Sequence, residues 1–159
     1  SFYERRITMK LHIGCSSDKR EGYLNVDINS KCNPDKILDL NKIPYPFSDN
    51  SFDEILANHI LEHLDDPLAV VMELKRVLKK GGVLKIEVPY YKTEGYFSDL
   101  THKKAFTLKT FPRYFSRDFD IMRNDLVCKG KLRQFLPFKR FLNFFMWNIY
   151  DVICVELKK

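Results

Sequence analysis

At 159 residues, with a net charge of +6, 30% charged and 45% hydrophobic residues, the chain has room for one domain with a substantial core and lacks the composition of a disordered or fibrous protein. It contains no run of about 18 apolar residues and no apolar core in the leading SFYERRIT, so neither a membrane-spanning helix nor a signal peptide is expected. Residues 1–80 carry 12 Lys+Arg against 13 Asp+Glu, and residues 81–159 carry 15 against 8, which puts the basic excess in the C-terminal half with most of the aromatic residues.

In chain order, Met9 reads as a natural start, with residues 1–8 a leader or cloning remnant and residues 9–159 a single domain. KLHI predicts a first strand, residues 24–28 a second, and residues 36–40 a third after the Asn33-Pro34-Asp35 turn. IPYPFSDNS is a loop fixed by Pro44 and Pro46. FDEILA predicts a fourth strand, and NHILEHLDDP a short helix closed by an acidic turn. Asp66 is placed to cap a new helix with Pro67 at its first position. Leu68, Val71, Leu74, Val77 and Leu78 recur at three- and four-residue spacing along it. Lys79 and Lys80 complement the end of that helix and Gly81 stops it. VLKIEV predicts a fifth strand, ended by Pro89. RDFDIMRNDLVCKGK and DVICVELKK predict two late strands around an aromatic, basic insertion, so residues 90–150 are in part an acceptor region.

Short apolar strands separated by helices or crossovers predict an α/β fold: a Rossmann-like, seven-stranded, mostly parallel sheet with one antiparallel edge strand and helices on both faces. Such sheets bind ligands beyond the carboxyl ends of their strands. The positions to inspect are therefore residues 14–17, Asp27, Asp39, Asn58, His59, Tyr90 and Tyr91.

Gly14 follows the first strand, where the lack of a Cβ lets backbone N–H groups approach a ligand. Asp27 ends the second, where two carboxylate oxygens can accept both hydroxyls of a ribose. Neither G-x-G-x-x-G nor G-x-x-x-x-G-K-[ST] is present. A cofactor with a ribose and no pyrophosphate fits this pattern, and S-adenosylmethionine is one.

HIGCSSD, GYLNVDI, LDLNKIPYPFSDNSFDEILANHILEHL and LKRVLKKGGVLKIEVP together resemble the class I S-adenosylmethionine-dependent methyltransferases of the type 11 group, over residues 10–91. THKKAFT is similar to a segment of relatives that share the GY-[LI]-NVDI strand. The resemblance implies that Ile13, Gly14 and Cys15, with Ser16, line the methionine side of the cofactor. It implies Asp27 on the ribose, Ile28 on the adenine, Asp39 and Leu40 at the adenine amino group and ring, and Asn58 and His59 closing the pocket. The family's Gly-Cys-Gly turn here reads Gly14-Cys15-Ser16, a change that costs little if the serine has a negative φ. The link between the first two strands is too short for the usual helix.

HILEH also matches the zinc motif H-x-x-E-H, with His59 and His63 as ligands and Glu62 as base. A third ligand is lacking apart from lone acids such as Glu73 and Glu87, so no metal is expected and His63 reads as structural. Cys15, Cys32, Cys128 and Cys154 form no C-x-x-C pair, which suits a reducing cytoplasm. Methyl transfer needs an acceptor held in line and, for some acceptors, a base. The candidates are His102, His59 and Tyr91, His102 foremost. VPYY does not replace the Asn/Asp-Pro-Pro-Tyr signature of amino-group methylation, so oxygen is favoured over nitrogen.

FLPFKRFLNFFMWNIY has three readings: a lid with an apolar acceptor pocket, a membrane-interface segment that would make the protein peripheral to a membrane, or simple packing on the sheet, the commonest fate of such residues. The expected function is methyl transfer from S-adenosylmethionine to a small-molecule or lipid-like acceptor. The alternatives are a non-catalytic binding or regulatory relative and an RNA methyltransferase, the latter resting on the basic C-terminal half.

Overall fold

A computed structural model describes residues 8–130 and 133–159. The strands are β1 (Lys10–Ile13), β2 (Leu24–Asp27), β3 (Lys36–Ile37), β4 (Phe52–Asn58), β5 (Leu78–Pro89), β6 (Asp120–Val127) and β7 (Val152–Lys158). The helices are α1 (Pro67–Val77), α2 (Glu94–Phe97), α3 (Thr110–Phe115) and α4 (Lys139–Phe145). All seven strands join one sheet in the order β3-β2-β1-β4-β5-β7-β6. Neighbours from β3 to β5 pair in parallel, whereas β7 is antiparallel to both β5 and β6. The expected antiparallel strand is thus β7, and it lies one place in from the edge, with β6 outside it.

Alternation along the strands separates two faces. Leu11, Ile13, Ile55, Ala57, Leu84, Ile86, Val155 and Leu157 are buried in one core with Val70, Val71, Leu74 and Val77 of α1 and Phe111 and Phe115 of α3. The intervening residues of the central strands are mostly polar. Glu54 pairs with Lys10 at 3.8 Å and Lys85 at 2.8 Å, and accepts the Tyr23 hydroxyl; Arg123 meets Glu156 at 3.9 Å. Helices α1 and α3 give their apolar cover to this core, in the Rossmann-like layering that was expected.

Asn25 explains how β1 reaches β2 without a helix. It is 3% exposed. Its amide nitrogen donates to the carbonyls of Arg20 and Tyr23 and to Asp35, while its oxygen accepts Arg20 N–H at 2.8 Å. One side chain thereby satisfies the backbone of a link that has no ladder of its own.

Asp66 caps α1 by accepting from Leu68 N–H and Ala69 N–H, both at 3.0 Å. Leu68 itself is exposed and Val70 takes the buried place. Gly81 does not end this helix. The chain leaves it at Leu78, which pairs with Phe52; residues 79–82 then bulge before Val83 pairs with Glu54. Gly81, at φ +79°, donates its N–H to Lys159 O at 2.6 Å inside that bulge. The third strand is shorter than expected, since its edge position gives it only β2 to pair with.

Among the described residues no helix is long and apolar enough to cross a membrane. The aromatic segment packs on the core only in part. Phe138, Phe141, Phe144 and Phe145 of α4 and its start are exposed, as are Phe135 and Trp147, while Leu142, Ile149 and Tyr150 reach the core.

Candidate active site

Two neighbouring cavities open at the carboxyl ends of β1, β2, β4 and β5. The smaller, of about 160 Å³, is lined by Gly14, Asp27, Ile28, Leu38, Asp39, Leu40, Asn41, Ile60, His63 and Leu64. Gly14 sits at φ +63° against Ile60, whose side-chain carbons would lie 2.6–2.8 Å from any added Cβ. Ser16 also adopts a positive φ, +43°, contrary to the negative angle under which serine replaces glycine cheaply. Its N–H donates to Asp27 Oδ2 at 2.8 Å, and Asn29 N–H donates to Oδ1 at 2.8 Å. Each Asp27 oxygen thus takes one backbone donor, which fixes the carboxylate and leaves each oxygen a further acceptor direction.

Ile28 is 63% exposed at the rim and Leu40 is buried beneath. Asp39 turns back to Asn41 N–H at 3.0 Å. Ile13 and Cys15 are buried, and burial pushes the Cys15 thiol up. Ile13, Cys15, Ser16 and Asn58 lie outside the lining of both cavities.

The larger cleft, of about 840 Å³, is lined by His59, Glu62, His63, Pro89, Thr93, Glu94, Gly95, Ser98, Asp99, His102, Lys129, Arg133, Asn148, Asp151 and Val152. His63 belongs to both linings, so the two spaces adjoin at this residue. His59, at φ +49°, places Nδ1 3.5 Å from Glu62 Oε1 and Nε2 2.7 Å from Glu87 Oε1. These two carboxylates hold its imidazolium up to about 9. Glu87 is held down to about 2 by His59 against the opposing effect of burial, and Lys129 assists. Arg133 pairs with Asp151 at 2.8 Å.

His102 Nδ1 donates to Tyr96 O at 2.7 Å, and its ring stacks on Tyr96 with centroids 5.3 Å apart. Its Nε2 lies 3.9 Å from Glu62 Oε1 and 3.8 Å from Asp99 Oδ2. Two of the three catalytic candidates therefore share this cleft. Tyr91 does not line it: its ring packs edge-to-face on Tyr90 and its N–H donates to Phe106 O.

HILEH is a 3-10 turn at Leu61–His63, shorter than the expected helix. Its two histidines part, His59 toward Glu87 and His63 toward His102, whose ring centroid is 4.8 Å away. Glu62, His63 and His102 each offer a ligand atom within 4.8 Å of the others. The sequence reading passed over Asp99, Thr93, Lys129 and Asp151. Lys129, Asp99 and Asp151 are ordinary surface charges in sequence terms, and only the fold gathers them.

A family model described as "Methyltransferase domain" matches residues 23–86. An uncharacterized methyltransferase of Schizosaccharomyces pombe is 54% identical over 37 residues, 23% of this chain and 13% of that protein. The chain spans only 13–21% of the length of the curated relatives it matches. A SAM-dependent methyltransferase from Archaeoglobus fulgidus has a TM-score of 0.70 at 19% identity, covering 96% of this chain and 86% of that one. Another from Mesorhizobium loti reaches 0.72 at 14% identity, over 96% and 90%. These likenesses establish the fold.

Proposed function

We propose that this chain, which carries a methyltransferase domain of the type 11 group on a class I fold, transfers the methyl group of S-adenosylmethionine to a small-molecule or lipid-like acceptor, with oxygen favoured over nitrogen. The observation that carries this reading is the meeting of an acid-bearing cavity and a larger polar cleft at His63. The smaller cavity suits the adenosine end. Asp27 keeps acceptor capacity for ribose hydroxyls, Ile28 and Leu40 offer apolar surface for a base, and Asp39 is at hand for an amino group. Gly14 brings backbone to the wall, with Ile13, Cys15, Ser16, Asn58 and His59 supporting the turn and the strand end.

Bound there, S-adenosylmethionine would supply a methyl group on a sulfonium, a good leaving group. The chain's own task is to hold the acceptor in the cleft, exclude water and take a proton from a hydroxyl acceptor. His102 suits the last role: with Nδ1 donating to Tyr96 O, Nε2 carries a lone pair toward the cleft. His59 suits it less, since an imidazole held up to about 9 is already protonated at neutral pH. Phe97 and Trp147 pair at 5.6 Å next to the cleft-lining Ser98 and Asn148, an apolar rim that favours a lipid-like acceptor.

A second reading, a binding module without transfer, is favoured by the left-handed Ser16 and by the Ile60 side chain lying on Gly14. An RNA acceptor gains nothing from the cleft, where Lys129 and Arg133 are paired with Glu87 and Asp151. The test is transfer of a radiolabelled methyl group to pools of lipid and of water-soluble hydroxyl compounds, with Asp27→Ala alongside. Label in an organic-extractable product, absent in the variant, supports the reading. Cofactor binding with no label in any pool would favour the binding module.

A further inference from the structure

We propose that Glu62, His63 and His102 form a site for a divalent transition metal of the zinc class on the wall of the larger cleft. This goes beyond the methyl-transfer reading and stands without it; a metal on His102 Nε2 takes the one lone pair that the base role needs, so His102 acts as base only in the metal-free protein.

The fold brings these residues together by several contacts. The carbonyl of Glu62 accepts Lys103 N–H at 2.7 Å and Lys104 N–H at 3.2 Å. Lys103 Nζ reaches Asp65 at 2.7 Å, and Thr101 Oγ1 lies 2.9 Å from His63 Nδ1. The segment carrying His102 is thereby tied down along the Leu61–His63 turn.

The hydrogen bonds around both rings leave each with a free lone pair. A carbonyl only accepts, so His102 Nδ1 carries the hydrogen toward Tyr96 O and Nε2 is bare. Thr101 Oγ1 also lies 2.7 Å from Asp99 Oδ1. A carboxylate only accepts, so the threonine hydrogen goes to Asp99. His63 Nδ1 must then donate to Thr101, and its Nε2 is bare. A carbonyl behind one imidazole and a hydroxyl–carboxylate relay behind the other are what orients metal-ligating histidines.

Glu62 supplies the independent sign of a ligand. It is 0% exposed, and neither side-chain oxygen has a hydrogen-bond partner. A buried carboxylate with no hydrogen bond, and only an imidazolium shared with Glu87 beside it, is costly. His59 Nδ1, 3.5 Å away, makes a charge contact without a hydrogen bond and is held on its other nitrogen by Glu87. Two neutral imidazoles and one carboxylate are the ligand set of catalytic zinc sites that keep a fourth position open. Ligands of a tetrahedral zinc stand about 3.3 Å apart, and these three ligand atoms already lie within 4.8 Å of one another. All three residues line the cleft, so the open position faces the space proposed for the acceptor. His59, the first histidine of the zinc motif in the sequence, is not a ligand here.

The test uses the full chain, stripped with chelator and shown to be folded by circular dichroism. Co²⁺ is titrated in while visible d–d absorption is followed, and Zn²⁺ is then added as competitor. The expected result is one Co²⁺ per chain with bands bleached by Zn²⁺, and a rise in thermal midpoint with Zn²⁺. His102→Ala and the near-isosteric Glu62→Gln should each weaken uptake by more than about tenfold, the scale already lost with supporting residues alone. If His102→Ala does not fold, Glu62→Gln carries the test. Absence of bands and of any thermal shift in folded wild type overturns the site, as does uptake that both variants leave unchanged. S-adenosylmethionine binding measured on the stripped protein reports separately on the methyl-transfer reading.

Discussion

Replacing Gly14 by alanine sets a methyl group against Ile60 in a backbone conformation that alanine avoids. The new Cβ would lie 2.6 Å from Ile60 Cγ1, 2.7 Å from Cδ1 and 2.8 Å from Cβ, where carbon atoms pack at about 3.5–4.0 Å. Overpacking of this kind costs about 1–3 kcal/mol. The left-handed φ of +63° adds about 1–2 kcal/mol. Stiffening of the unfolded chain returns about 0.4–1 kcal/mol, which leaves a net loss of about 1–4.6 kcal/mol. In a chain of this size that lowers the thermal midpoint by roughly 2–18 °C. Urea unfolding followed by circular dichroism measures it, and a double-mutant cycle with Ile60→Ala separates the two causes. The double variant removes Cγ1 and Cδ1 but keeps the Ile60 Cβ at 2.8 Å, so most but not all of the overlap is relieved, giving a coupling of up to about 1–3 kcal/mol while the backbone cost remains. A Gly14→Ala loss within about 0.5 kcal/mol of zero, or one that Ile60→Ala does not relieve, would refute the close approach of these residues.

Other outcomes follow from the packing. Asp66→Ala removes the cap of α1 and should cost about 0.5–2 kcal/mol in urea unfolding. Arg76 holds the Glu73 carboxyl below its ordinary 4.5; a carboxyl lowered on folding stabilises above that value and loses this as pH falls through the lowered one. The wild-type urea midpoint should therefore drop more than that of Glu73→Gln between about pH 6 and pH 3. Phe111→Ala, fully buried, should cost about 3–5 kcal/mol, whereas Phe144→Ser, 79% exposed, should stay within about 0.5 kcal/mol; equal losses would show α4 packed on the sheet.

The parts of this fold that depend on neighbours in sequence were legible there. Asp66-Pro67 announces its helix because capping is a three-residue affair, and Asp27 and Gly14 stand at strand ends that the apolar runs define. What depends on distant partners was not. The sign of φ at Ser16 depends on how the turn folds back to Asp27. Gly81 looked like a helix stop because nothing local reveals that Phe52 captures Leu78 into the sheet. His102 meets Glu62 and His63 across about forty residues of chain, through backbone bonds that no side-chain pattern encodes. The bare aromatics of α4 show the limit of composition: Phe and Leu at helical spacing usually find a core, and here the core is already filled by Phe106, Phe111, Phe115 and Phe119.

Calorimetric titration with S-adenosylmethionine and S-adenosylhomocysteine, for wild type and Asp27→Ala, bears most directly on the cofactor site. The account predicts dissociation constants of about 1–100 μM for wild type, or roughly −8 to −5.5 kcal/mol, and at least about tenfold weaker binding in a folded Asp27→Ala, a loss of about 1.4 kcal/mol. No heat and no thermal shift from either ligand with the folded wild-type protein would contradict it.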